Sequence, residues 1–264
     1  MRKVAFPICL AAMLLAAALP TGCARRDVNL LMSQAYAAAR QGDLALAQDL
    51  TAECLKQNSS HTQARILNNY CRFSRQGSEA DRRQALYDFS KGTILEPDNF
   101  DCWFFYGWAL AESGQTQQAI VPLEKALALL PPKGGPRPKV QLLLGRCYAE
   151  NNLQDKALAI LQPLQIRDPY RAWPELYNCL AMLALRRKQS PQAVRFLKEG
   201  LRRDPANEVL LRNLAIVYDV YVNSPAEACD YYRKCLKRTV DRGDKEEAQT
   251  LTRRLMQVNR RIRK

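Results

Sequence analysis

One histidine and nine cysteines are the residues from which nucleophilic or metal-dependent chemistry would have to be built in this chain of 264 residues. A serine or cysteine nucleophile wants an imidazole base beside it, and a zinc site wants several Cys or His ligands at short spacing. His61 falls between two predicted helices with no second histidine to join it, and no Cys-x-x-Cys pair occurs. Neither a phosphate-binding glycine loop nor a Gly-x-Ser-x-Gly turn is present either. These absences argue for a chain that is no enzyme and needs no cofactor, metal or small-molecule substrate.

Cys9 and Cys23 belong to the first residues, which leaves Cys54, Cys71, Cys102, Cys147, Cys179, Cys229 and Cys235. Cys54, Cys71 and Cys235 stand where a helical pattern wants a small apolar residue, and the other four also lie inside predicted helices. The spacing therefore predicts buried free thiols acting as small hydrophobes. The alternative is one or two disulfides between stacked helices.

The N-terminus is read as a processing signal. Arg2 and Lys3 precede an apolar run from Val4 to Leu19, which is short for a spanning helix and closes as Leu19-Pro-Thr-Gly-Cys23. That ending resembles the lipobox of bacterial lipoproteins, although Pro20 stands where that family has leucine. The resemblance implies a signal peptide over residues 1–22, lipidation at Cys23, a linker over 23–27, and anchoring in the bacterial cell envelope. Ala24 after the cysteine points to the outer membrane, facing the periplasm. Removing the signal lowers the formal charge of +14 by two, and residues 236–264 carry ten Lys/Arg against four Asp/Glu. An exported chain with this balance meets anionic lipid, glycan or protein rather than nucleic acid.

The elements behind these residues repeat. Ala47, Ala85, Ala119, Ala157, Ala193 and Ala228 each open a similar segment, at intervals of 38, 34, 38, 36 and 35 residues. Pro97, Pro131, Pro169 and Pro205 keep the same beat, and a proline ends one helix pair before the next begins. Gly42, Gly77, Gly114 and Asn151-Asn152 sit at the turn inside each pair, where a left-handed backbone is needed. Ser190-Pro191 and Ser224-Pro225 read as an N-cap followed by a first-turn proline. At the end, Asp244 with Glu247 predicts a cap for a last helix whose apolar stripe is Ala248, Leu251, Leu255, Val258 and Ile262, with Arg253, Arg254, Arg260 and Arg261 largely on other faces.

Trp103, Tyr106-Gly107, Leu110, Gly114, Ala119, Leu123, Ala126 and Pro131 resemble the tetratricopeptide repeat, as do Leu144-Gly145, Tyr148, Ala157, Leu161 and Pro169. The resemblance implies an all-α, right-handed α-solenoid of about six helix pairs, over roughly 28–61, 64–99, 100–133, 138–171, 174–207 and 208–240, with a capping helix at 244–264. It also implies a concave groove lined by the first helix of each pair. Carried over by position, the groove residues are Arg65, Asn68 and Arg72; Asp101, Phe104 and Trp108; Lys139, Leu142 and Arg146; Asn178, Met182 and Arg186; and Arg212, Ile216 and Asp219. Within the aromatic run 103–108, Trp103 and Tyr106 would face their own repeat and Phe105 a neighbour.

Such a surface suits a protein or peptide partner with an apolar anchor and acidic flanks. The plan of a lipobox and six repeats is similar to pilotin lipoproteins of type IV pilus assembly, with other envelope assembly adaptors as the wider class. A second reading is a binder of anionic lipid or glycan through the Arg-rich C-terminal end.

Overall fold

The computed structural model describes residues 27–75, 78–131, 137–166 and 173–262. The signal segment 1–22, Cys23, Gly77 and Pro169 lie outside the described residues. Every regular element described is helical, and the chain divides into two compact units that meet between Ser113 and Gly114.

The first unit holds α1 (Val28–Gln41), α2 (Leu44–Gln57), α3 (Thr62–Ser74), α4 (Glu79–Leu95) and α5 (Phe100–Glu112). Side chains at the helix starts satisfy amides that have no partner within the helix. Asp27 accepts from the amide of Asn29, and Asp43 from that of Leu46. His61 does the same work for α3, its Nδ1 accepting from the amide of Ala64. Ser78 and Asp81 form a full capping box at α4. Gly42 ends α1 with φ 82°, which a Cβ would disfavour.

Two clusters fill this unit. Leu31, Ala35, Ala47, Cys54, Ala64 and Cys71 join α1, α2 and α3. Ile66, Phe73, Ala85, Phe89, Cys102 and Ala109 join α3, α4 and α5.

The second unit holds α6 (Thr116–Ala128), α7 (Arg137–Glu150), α8 (Gln154–Ile166), α9 (Pro174–Arg186), α10 (Ser190–Arg203), α11 (Glu208–Ile216), α12 (Pro225–Asp241) and α13 (Lys245–Ile262). Asn152, with φ 60°, makes the left-handed turn between α7 and α8. The serine caps are corrected: Ser190 lies inside α10 behind Gln189, and neither Gln189 nor Ser224 makes a side-chain cap bond. The prolines at 191 and 225 fix those first turns instead.

Gly145 lets α7 and α8 close up, since a Cβ there would lie 2.5 Å from Cγ of the fully buried Leu161. A broad cluster spans α9 to α13 around Leu197, Leu210 and Leu214, each fully buried. Burying one such leucine contributes about 1.5–3 kcal/mol.

Asp244 caps α13 by accepting from the amide of Glu247. α13 buries only Leu251 and Val258. Leu255 packs part-buried against the same cluster, and polar contacts add to the seating. α11 does not stop at Ile216 but widens into a π turn over Val217–Tyr221, the kind of irregularity that re-aims side chains. It carries Asp219 inward, where the side chain is fully buried. Asp219 accepts from Arg254 at 2.7 Å, from Tyr232 at 3.2 Å and from Arg261. Arg254 and Arg261 are seven residues apart on α13, two turns on one side of it. Arg212 pairs with Glu247, and Arg242 with Glu208 and Glu247.

Candidate functional site

The first helices of the pairs present different faces in the two units. In the first unit the ninth residues of α1, α3 and α5 are Tyr36, Tyr70 and Trp108. Trp108 lies 5.2 Å from the ring of Tyr70 and 5.1 Å from that of Phe73, centroid to centroid. Phe105 sits 6.0 Å from both Tyr70 and Phe89. Trp108 and Phe105 are thus half-buried side walls between α3, α4 and α5 rather than projecting anchors. The aromatic pairing adds about 0.5–1.5 kcal/mol per pair beyond burial.

Phe104 stacks on Phe100 at 5.6 Å and stays half-exposed. Trp103 donates its indole N–H to the carbonyl of Pro97 at 2.7 Å, and Tyr106 packs on the α3–α5 cluster. Burial pushes the Asp101 carboxyl up, and burial together with Asp101 raises the Tyr36 hydroxyl.

Arg65, Asn68 and Arg72 are corrected. Arg65 is the fourth residue of α3, the place Trp103 holds in α5, whereas the groove position Asp101 is the second of α5, so the carried-over register was displaced by two residues in this repeat. The side that meets α5 is Ile66, Tyr70 and Phe73. Arg65 instead reaches Glu96 at 2.6 Å, Arg72 reaches Asp88 at 3.2 Å, and the buried Asn68 donates to Thr51 Oγ1 and the Gln48 carbonyl. All three face second helices. The next helix is out of step as well. Ala85 is the seventh residue of α4, whereas Ala119 is the fourth of α6, so the repeat alanine misreports the phase.

In the second unit α7, α9 and Tyr221 enclose a cleft of about 410 Å³. Met182, Leu185 and Tyr221 supply apolar surface, and Arg146, Asn178 and Arg186 supply polar groups, with Glu150 opposite in sign. Asn178 accepts from Asn213 at 2.6 Å, and Arg186 donates to Asn152 at 2.8 Å, which fixes both side chains. Leu185 and Tyr221 were not among the residues carried over. Tyr221 reaches the cleft through the π turn, which no repeat pattern encodes. Lys139 is half-buried near the start of α7 and outside the residues lining this cleft.

Arg212 and Asp219 are taken by α13, as described, and so lie at the closed end of this face. The same contacts bear on the basic C-terminal end, where Arg242, Arg254 and Arg261 are tied to acids while Arg253 and Arg260 are exposed.

All seven described cysteines are free and buried. Burial pushes Cys71 and Cys102 up to about 11 and Cys179 up to about 12, which keeps them protonated and unreactive near neutral pH. No group of three or more His, Cys, Asp or Glu among the described residues is arranged to hold a metal ion, and no described helix is long and apolar enough to cross a membrane.

The helix pairs, their small-residue contacts and their ended turns define an all-α solenoid of the tetratricopeptide type. A family model described as tetratricopeptide repeat matches residues 110–183. Among curated proteins no match is found. Among solved structures the chain is similar to PilW, titled a widely conserved type IV pilus biogenesis factor, with TM-score 0.70 and 19% identity over 85% of this chain and 98% of that one. It is similar to PilF of Pseudomonas aeruginosa, with TM-score 0.63 and 16% identity over 86% and 97% of the two chains. It is also similar to YrrB, titled a protein with an unusual peptide-binding site, with TM-score 0.52 and 17% identity over 70% and 90%.

Proposed function

We propose that the chain is a non-catalytic scaffold that holds a protein segment against the first helices of its second unit. The observation that carries this reading is the α7–α9–Tyr221 cleft, where a fixed arginine and asparagine stand beside an apolar floor. An extended or helical segment with an apolar anchor and an acidic neighbour fits that chemistry. Affinity comes from burying the anchor, and the arginines set orientation and reject basic competitors.

In this reading the chain is a lipoprotein, lipidated at Cys23 and held in the envelope, facing the periplasm from the outer membrane. The lipobox-like ending of the N-terminal segment supports the anchor, and the likeness to PilW supports service in assembling a pilus or a related envelope machine.

The test compares partner retention by wild type and by Met182→Asp with Arg186→Glu, after circular dichroism shows both folded. Loss of the partner in the double variant is expected, and equal recovery would remove the cleft from consideration. Incorporation of radiolabelled palmitate, lost in Cys23→Ser, checks the anchor. Cells lacking the gene are expected to lose surface pili, and unchanged piliation would leave the scaffold without that pathway.

A further inference from the structure

We propose that a second cleft, on a different side of α3 from the aromatic face, binds a phosphate group. It lies among α2, α3 and α4 in the first unit and encloses about 350 Å³. Arg65, Asn69, Arg72 and Lys91 line it together with the carboxylate of Asp88. The repeat pattern placed Arg65, Asn68 and Arg72 in a peptide groove, and the structure gathers them here instead, with Asn69 and Lys91.

The argument begins with Asn69. It is only 8% exposed and lines the cleft, yet no described residue offers its side-chain amide a hydrogen bond. Its polar atoms are not sealed from solvent, so the amide is open to a ligand in the cleft. Its neighbour Asn68, similarly buried, donates its Nδ2 to Thr51 Oγ1 and the Gln48 carbonyl, so the two amides are not treated alike by the fold.

The charges add a direction. Glu96 is fixed away from the cleft by donors from Thr62, Arg65 and Asn99. Asp88 is shared between Arg72 and Gln84. That leaves Lys91 with no ion pair among the described residues, on the lip of the cleft. Each arginine has used one nitrogen on its acid, and a guanidinium carries five N–H donors. Two guanidiniums, one ammonium and one amide converging on a small volume form a donor set for an oxyanion, which accepts several such bonds at once.

Two sources carry that group. One is free phosphate. The other is the headgroup of an anionic phospholipid, and here Ile94 and Leu95, 77% and 56% exposed on α4, offer apolar surface beside the cleft. The lipid source rests on the envelope location proposed above, whereas the cleft itself does not.

The experiment is isothermal titration calorimetry on the full chain in non-ionic detergent at matched ionic strength. The probes are inorganic phosphate and glycerophosphoglycerol, the deacylated headgroup of phosphatidylglycerol. Saturable binding is expected for wild type, weakened at least tenfold by Lys91→Gln and by Asn69→Ala. Lys91 is exposed, so its variant retains the fold, and unfolding midpoints check both. Tighter binding of glycerophosphoglycerol assigns the cleft to lipid, and binding of inorganic phosphate at least as tight assigns it to the free ion. Absence of saturable heat with both probes, or equal affinity in wild type and variants, would overturn the proposal.

Discussion

The first helices of the two units carry the same architectural positions with opposite results. In the first unit Tyr36, Tyr70 and Trp108 hold equivalent places, and Tyr70, Phe73, Phe105 and Trp108 lean on one another. In the second unit Met182 and Ile216 hold the same ninth position in α9 and α11, and the shorter side chains leave a cleft between α7, α9 and Tyr221. Large flat side chains on this face close it, whereas smaller ones keep it open for a partner. Aromatic richness in the sequence therefore marks the stiffer face and not the receptive one.

The largest effect should come from removing a wall of the closed face. Trp108→Ala deletes a half-buried indole between α3 and α5 and should cost about 2–3 kcal/mol, below the range for fully buried tryptophans. Hydrogen exchange should show the loss in α3–α5, and equal loosening of α9–α12 would break the contrast. Met182→Ala should cost about 1 kcal/mol or less and instead weaken partner retention, since its neighbourhood is already open.

Next is the polar seat of the second unit. Asp219→Ala leaves Arg254 and Arg261 without their shared acid and should cost about 2–3 kcal/mol, discounted because both arginines keep water contact. Limited proteolysis should then cut α13 while the first unit stays protected.

A matched pair of glycines sharpens the comparison further. Gly145→Ala must move Leu161 and should cost about 1–3 kcal/mol. Gly92→Ala in α4 meets Cys102 only at 3.4 Å, and helix propensity favours it by up to about 1 kcal/mol. Urea midpoints measure both, and a stabilised Gly145→Ala would contradict the packing of α7 on α8.

The smallest effects are acidic and opposite in sign. Hydrogen bonds from Arg202 and then Arg203 hold Glu199 down to about 2, against an ordinary value of 4.5. Its folded pKa is depressed, so its stabilisation is present above about 4.5 and is lost as pH falls towards 2. Asp101, raised by burial, works the other way and costs stability once pH rises through its folded value. Glu199→Gln should flatten the acid limb of the stability curve, and Asp101→Asn should raise stability at pH 7.

Much of the helix punctuation was legible because its causes are local. Asp244, Gly42 and Asn152 act within a few residues of themselves. The face of α3 was not, because its phase is set by packing on α5 while the repeat alanine of α4 stands three residues later in its helix than that of α6. The seat of α13 was equally hidden. Asp219 meets arginines 35 and 42 residues away, through a π turn that widens the helix by tertiary demand. Local patterning reports who forms a helix, and only packing reports which side is left free.

The central claim is that the second unit's first-helix cleft is where a partner sits. Photo-crosslinking in the native cell from a reactive residue placed at Met182, at Tyr221 and, on a second helix, at the exposed Val121 tests it most directly. The account predicts one and the same protein adduct from Met182 and Tyr221 and none from Val121. Adducts equally strong from Val121, or none from the two cleft positions, would contradict it.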